Sequence, residues 1–138
     1  MNKVYWIESS EGRGYKKLDR DIQVDYLIIG GGVAGITCLY LLVSAGHKAV
    51  LIDADRIGYG CSGRNTGKIT AQHALVYNSI EKQFDLERAR QYYEVNDKAL
   101  ELIETLIARY NIQCDFQRVP ACVFTQDEDY AEKIRQEY

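Results

Sequence analysis

Gly30, Gly32 and Gly35 stand in the run GGGVAG at the spacing G-x-G-x-x-G, and Asp53 follows 18 residues after the last of them. Those residue types at those intervals suit a dinucleotide. The first glycine permits the tight turn, the second lets backbone approach a pyrophosphate, and the third lets a helix lie close to a strand. The pyrophosphate charge is then met by the helix N-terminus and its free N–H groups. Asp53 can accept hydrogen bonds from ribose hydroxyls, and it would repel a 2′-phosphate, which disfavours NADP. Val33 and Ala34 inside the turn and Ala54 after the aspartate complete the expected contact set. The motif alone does not separate FAD from NAD, and a glycine turn with no ligand is the blander reading.

Other reactive side chains are less organised. Cys38, Cys61, Cys114 and Cys122 include no C-x-x-C pair, and neither histidine is spaced to join them at a metal, so no metal site is expected. They read as reduced thiols, buried or half-buried. The net charge of −3 with no basic cluster argues against nucleic acid. The longest apolar stretch, Val33 to Ala45, is too short for a bilayer. The opening MNKVYWIESSEGRGYKK has no apolar core of a secretory signal. A cytoplasmic protein with no membrane partner is therefore expected.

The elements around the turn follow from local pattern. Val24 to Ile29 (VDYLII) reads as a buried parallel strand. Val33 to Ser44 reads as a helix that is apolar almost all round, stopped by Gly46 at its C′ position. Lys48 to Ile52 is a second strand ending at Asp53. Together they have the length of one βαβ unit, and a right-handed crossover makes the strands parallel. The stretch from Asp55 to Thr70 is a long Gly/Ser/Asn/Arg-rich loop, the kind that usually carries function. Leu75 to Phe84 is a short helix candidate. Asp85 offers an N-cap for an amphipathic helix from Leu86 to about Tyr110. Two short strands, Ile112 to Val119 and Ala121 to Thr125, are expected on either side of Pro120, and a last helix opens near Asp127 to Asp129.

The block from Gly30 to Lys68, GGGVAGITCLYLLVSAGHKAVLIDADRIGYGCSGRNTGK, resembles the N-terminal region of the D-amino-acid oxidase/glycine oxidase superfamily of FAD-dependent oxidoreductases. YWIES, KITAQH and NIQCDFQRVPACVFT resemble a bacterial branch of it that often carries a C-terminal Rieske domain. The glycine turn is common to many families, whereas SGRNTGK is far more specific.

The resemblance implies a Rossmann-like FAD-binding βαβ unit over residues 1–75. A long helix and the start of a mixed α+β substrate domain would fill 76–138. Non-covalent FAD would lie on Gly30, Gly32 and Gly35, with Asp53 at its ribose. Ser62, Gly63, Arg64, Asn65, Thr66, Gly67 and Lys68 would wrap the pyrophosphate and reach the isoalloxazine ring. Lys68 is the cation expected to steady negative charge on the flavin, with a plain surface lysine as the alternative. Arg64 would pair with a phosphate or, more simply, with Asp55. His73 lies beyond the position of a histidine linked to flavin. The reaction implied is hydride transfer to flavin from a small amine or amino acid. The length suggests the first third of such an enzyme, with no Rieske ligands, so no turnover is expected of this chain by itself. A non-catalytic fragment or dinucleotide-binding module is the competing reading. Self-association through an uncovered sheet edge or the long helix is also expected.

Overall fold

The computed structural model describes residues 4–10 and 14–137. It divides into two compact units, Met1–Gly67 and Lys68–Tyr138.

The first unit holds α1 (Tyr5–Glu8), β1 (Tyr26–Ile29), α2 (Val33–Ser44), β2 (Ala49–Ile52) and a 3₁₀ turn (Cys61–Gly63). β1 and β2 form a parallel two-stranded sheet in the register Tyr26↔Ala49 to Ile29↔Ile52. α2 packs on one face of it, towards which Ile28 points; Leu27 and Ile29 point the other way and are 54% and 79% exposed. Successive strand side chains alternate between faces, so a helix on one side covers only every second residue. α2 ends as its sequence predicts. His47 N–H donates to Leu42 O and Gly46 N–H to Val43 O, both at 3.0 Å, the paired bonds of a Schellman stop.

The second unit is helical: α3 (Tyr77–Gln83), α4 (Leu86–Tyr110) and α5 (Glu128–Glu137). Asp85 caps α4, its Oδ1 accepting from Arg88 N–H at 2.7 Å. Asn111 closes that helix in the left-handed conformation at φ 48°. Along α4 the apolar stripe is only partly covered. Ala89 is buried and Leu100, Ile103, Leu106 and Ile107 are half-buried, while Leu86, Tyr93, Ala99 and Tyr110 are exposed. α3 lies against α4 and touches α5.

Two expectations are corrected. No strand forms over 112–119 or 121–125. An extended segment becomes a strand only when a neighbour takes up its N–H and C=O groups, and none does so among the described residues. Asp115, at φ 50°, also breaks the extended path, and Val119 and Phe124 are 70% and 82% exposed. The four cysteines are free, but all are exposed rather than buried or half-buried. A two-stranded sheet with one helix on it and a small set of packed helices enclose too little volume to bury them.

Candidate functional site

The glycine turn is built from close backbone approaches. Gly30 takes φ 110°, a conformation that side chains avoid. A Cβ on Gly35 would collide with the Gly30 carbonyl oxygen and reach Ile28 Cγ2 at 3.3 Å, so α2 can sit on β1 only with glycine there. The first intrahelical bond runs from Ile36 N–H to Gly32 O, 3.0 Å. The N–H groups of Gly32, Val33, Ala34 and Gly35 precede it and have no acceptor within the helix. They form the positive end of the helix dipole, where an anion is favoured.

Asp53 leaves the end of β2 and turns back to this point. Its Oδ2 accepts from Gly31 N–H at 2.6 Å and its Oδ1 from Asp55 N–H at 2.8 Å. These two donors, Gly31 foremost, hold the carboxyl below the ordinary aspartate value, so it is the charged form that stands beside the turn. Each oxygen keeps a second lone pair for a ribose hydroxyl. Ala54 is exposed beside it.

The loop expected to wrap a ligand does meet the turn. Ser62 Oγ accepts from Val33 N–H at 2.9 Å, and a Cβ on Gly32 would lie 3.2 Å from that same oxygen. Because the hydroxyl accepts there, its own proton is left to donate to an anion. Gly58 N–H donates to Gly31 O at 2.8 Å and ties the preceding stretch down as well. Asn65 staples the loop internally: its side-chain amide donates to Ser62 O at 2.5 Å, and its Oδ1 accepts from Gly67 N–H at 2.7 Å. Gly63 is buried, whereas Thr66 is exposed.

The expected pairing of Arg64 with Asp55 does not form. Among the described residues it pairs with no carboxylate; it donates to Tyr59 O and stacks 4.9 Å from the centroid of the Tyr59 ring. Arg56 stands 5.8 Å from the same ring centroid. Asp55 is occupied elsewhere, accepting from Arg56 N–H at 2.8 Å. The contacts absent from the sequence reading are those of α1. Trp6 Nε1–H donates to Asn65 O at 2.8 Å, and Ile7 lies against Gly63. The only signal was the aromatic run YWIE, too short to show periodicity.

Lys68 is the first residue of the second unit and is exposed. In that unit His73 Nδ1 is 2.9 Å from Tyr92 Oη, in an edge-on ring pair. Glu137 accepts from Tyr77 N–H and Asn78 N–H, both at 2.8 Å, and so caps α3 from α5. An open cleft of about 300 Å³ beside Tyr77, Tyr93, Val123 and Ile134 is bounded by that carboxylate. Burial first, then the nearby oxygens of Tyr92, Tyr93 and Glu137, push the Tyr77 phenol above its ordinary range. No cluster of metal-ligating residues occurs among the described residues. None of their helices is long and apolar enough to cross a membrane.

A glycine turn between β1 and α2, a charged aspartate after β2 and a loop docked on the helix start meet at one place. The chain belongs to the DAO family of FAD-dependent oxidoreductases, whose pattern it matches over residues 25–138. It is 35% identical over 136 residues, 99% of its length, to the Rieske 2Fe-2S iron-sulfur protein YhfW of Bacillus subtilis. It is 32% identical over 116 residues, 84% of its length, to gamma-glutamylputrescine oxidoreductase of Escherichia coli. The human mitochondrial glycerol-3-phosphate dehydrogenase matches over 87 residues at 31% identity, 63% of this chain and 12% of that one. The chain spans 27% of the length of each of the two bacterial relatives. No solved structure matches it.

Proposed function

We propose that this chain is the FAD-binding portion of a flavin-dependent oxidoreductase that acts on the C–N bond of a small amine or amino acid. The observation that carries the reading is the convergence on one helix start of the glycine turn, the Asp53 carboxylate and the Ser62 hydroxyl. The N–H groups of Gly32, Ala34 and Gly35 would bind the pyrophosphate, and the Ser62 hydroxyl would donate to it while still accepting from Val33. Asp53 would take the adenosine ribose. Gly63, Thr66 and Gly67 would bring backbone N–H groups along the ligand, and Lys68 would place a cation near the flavin ring. FAD supplies, when bound, the acceptor for a hydride from the carbon next to nitrogen. The FAD would be held non-covalently.

The name of the Escherichia coli relative favours an amine as the substrate class. The human glycerol-3-phosphate dehydrogenase, named for a different substrate, also matches this chain over 87 residues, which supports a cofactor-holding role for the shared part rather than a substrate-choosing one. A binding module without turnover of its own is therefore the second reading.

Titration of the purified chain with FAD, followed by flavin fluorescence and by calorimetry, tests the proposal. Saturable binding of FAD in preference to NAD is expected, with all the flavin released on acid precipitation. Tighter binding of NAD, or no affinity for FAD, overturns it. Flavin bleaching on adding an amine to the loaded chain would reject the module reading.

A further inference from the structure

We infer that Trp6 is a positioning residue for the dinucleotide loop, acting through Asn65 and Ser62 on the N-terminal end of α2. The inference rests on the reading of that turn and loop as the FAD site.

α1 lies across the loop as a strap. Trp6 Nε1–H reaches Asn65 O, Asn65 in turn holds Ser62 O and Gly67 N–H, and Ser62 Oγ holds Val33 N–H. Three hydrogen bonds thus link an indole to the helix end that faces the ligand. The packing is as specific as the bonding. A Cβ on Gly67, which has φ 72°, would lie 2.5 Å from Trp6 Cζ2, and one on Gly63 would lie 3.0 Å from Ile7 Cγ1. The indole therefore occupies the space a side chain at 67 would need. At its other end α1 is held by Ser10, whose hydroxyl donates to Trp6 O at 2.8 Å.

A strap of this kind has a physical purpose. Apart from the single turn Cys61–Gly63, the loop has no regular structure to hold it. Ordering a free loop around a ligand costs conformational entropy for each residue fixed. Trp6 meets that cost before the ligand arrives, although nothing requires it to touch the ligand. Phenylalanine would keep the ring packing and lose the N–H bond to Asn65, so it separates the two contributions.

The test uses the whole chain with Trp6→Phe and Trp6→Ala. Two measurements are made: FAD affinity by flavin fluorescence, and amide hydrogen exchange without FAD. Losing one hydrogen bond is worth about 1 kcal/mol, so Trp6→Phe is expected to bind FAD roughly fivefold to tenfold more weakly. Trp6→Ala binds more weakly still. In both variants exchange over residues 61–67 is faster, with α2 and α4 unchanged. Affinity equal to that of the unaltered chain, or unchanged exchange in the loop, overturns the inference. So does exchange that accelerates throughout the chain in Trp6→Phe, which would mark a general loss of stability. If the unaltered chain binds no FAD, the proposed function fails, and exchange over 61–67 still decides whether Trp6 holds the loop.

Discussion

A single methyl group at Gly35 has nowhere to go, because the atom it would meet is the Gly30 carbonyl oxygen, a backbone atom that cannot rotate away. Gly35→Ala must lift α2 off β1. We expect a stability loss of about 1–3 kcal/mol, the range for overpacked sites, read as a lower urea midpoint. A weakening of FAD binding should accompany it. Asp53 makes a different prediction, about pH. Its folded-state pKa is lowered, so its stabilising effect is complete above the ordinary aspartate value of 3.8 and is lost as pH falls through the lower folded value. Melting curves of the chain and of Asp53→Asn should therefore differ by a constant amount at neutral pH and converge in acid. A difference that persists at the lowest pH would show that the two backbone N–H bonds do not depend on the charge.

At the scale of elements, caps placed the helices more reliably than composition placed the strands. Asp85 caps α4 and Asn111 closes it, both within a few residues of the helix they bound. Asp85→Ala should cost about 1 kcal/mol, seen as a lower thermal midpoint in far-UV circular dichroism. The same local logic failed for 112–125. β-branched and aromatic residues there fit a pleated surface, but strand propensity is expressed only beside a partner, and Asp115 turns the chain away. α3 shows a third case: its cap is Glu137, 60 residues distant from Tyr77. No pattern around Tyr77 could have announced it.

For the whole molecule, the uncovered surface is the dominant fact. Ala89 is the one buried hydrophobic residue among those described, and Leu27 and Ile29 face outward from the sheet. Apolar area of this kind favours association. We expect the molar mass from sedimentation to rise with concentration, and Ile29→Asp to reduce that rise. A mass that stays monomeric across the concentration range would reject self-association through this face. The chain's 27% share of the bacterial relatives also bears on activity. The proposed cofactor site lies within that share, so FAD affinity rather than turnover is the property to measure on this chain.

The sequence by itself determined whatever depends on neighbours a few residues apart: the glycine turn, the stop at Gly46, the cap at Asp85 and the run of strand, helix and strand that ends at Asp53. These are steric and hydrogen-bonding preferences of short segments, and they are written in residue type and spacing. The SGRNTGK resemblance pointed further, to FAD. Only the tertiary structure decided which distant groups meet. Ser62 reaches Val33 across 29 residues and Trp6 reaches Asn65 across 59, while Arg64 chooses the Tyr59 ring and carbonyl over Asp55. Such contacts depend on loop closure and packing rather than on a repeating pattern, which is why no local signal in the chain foretold them.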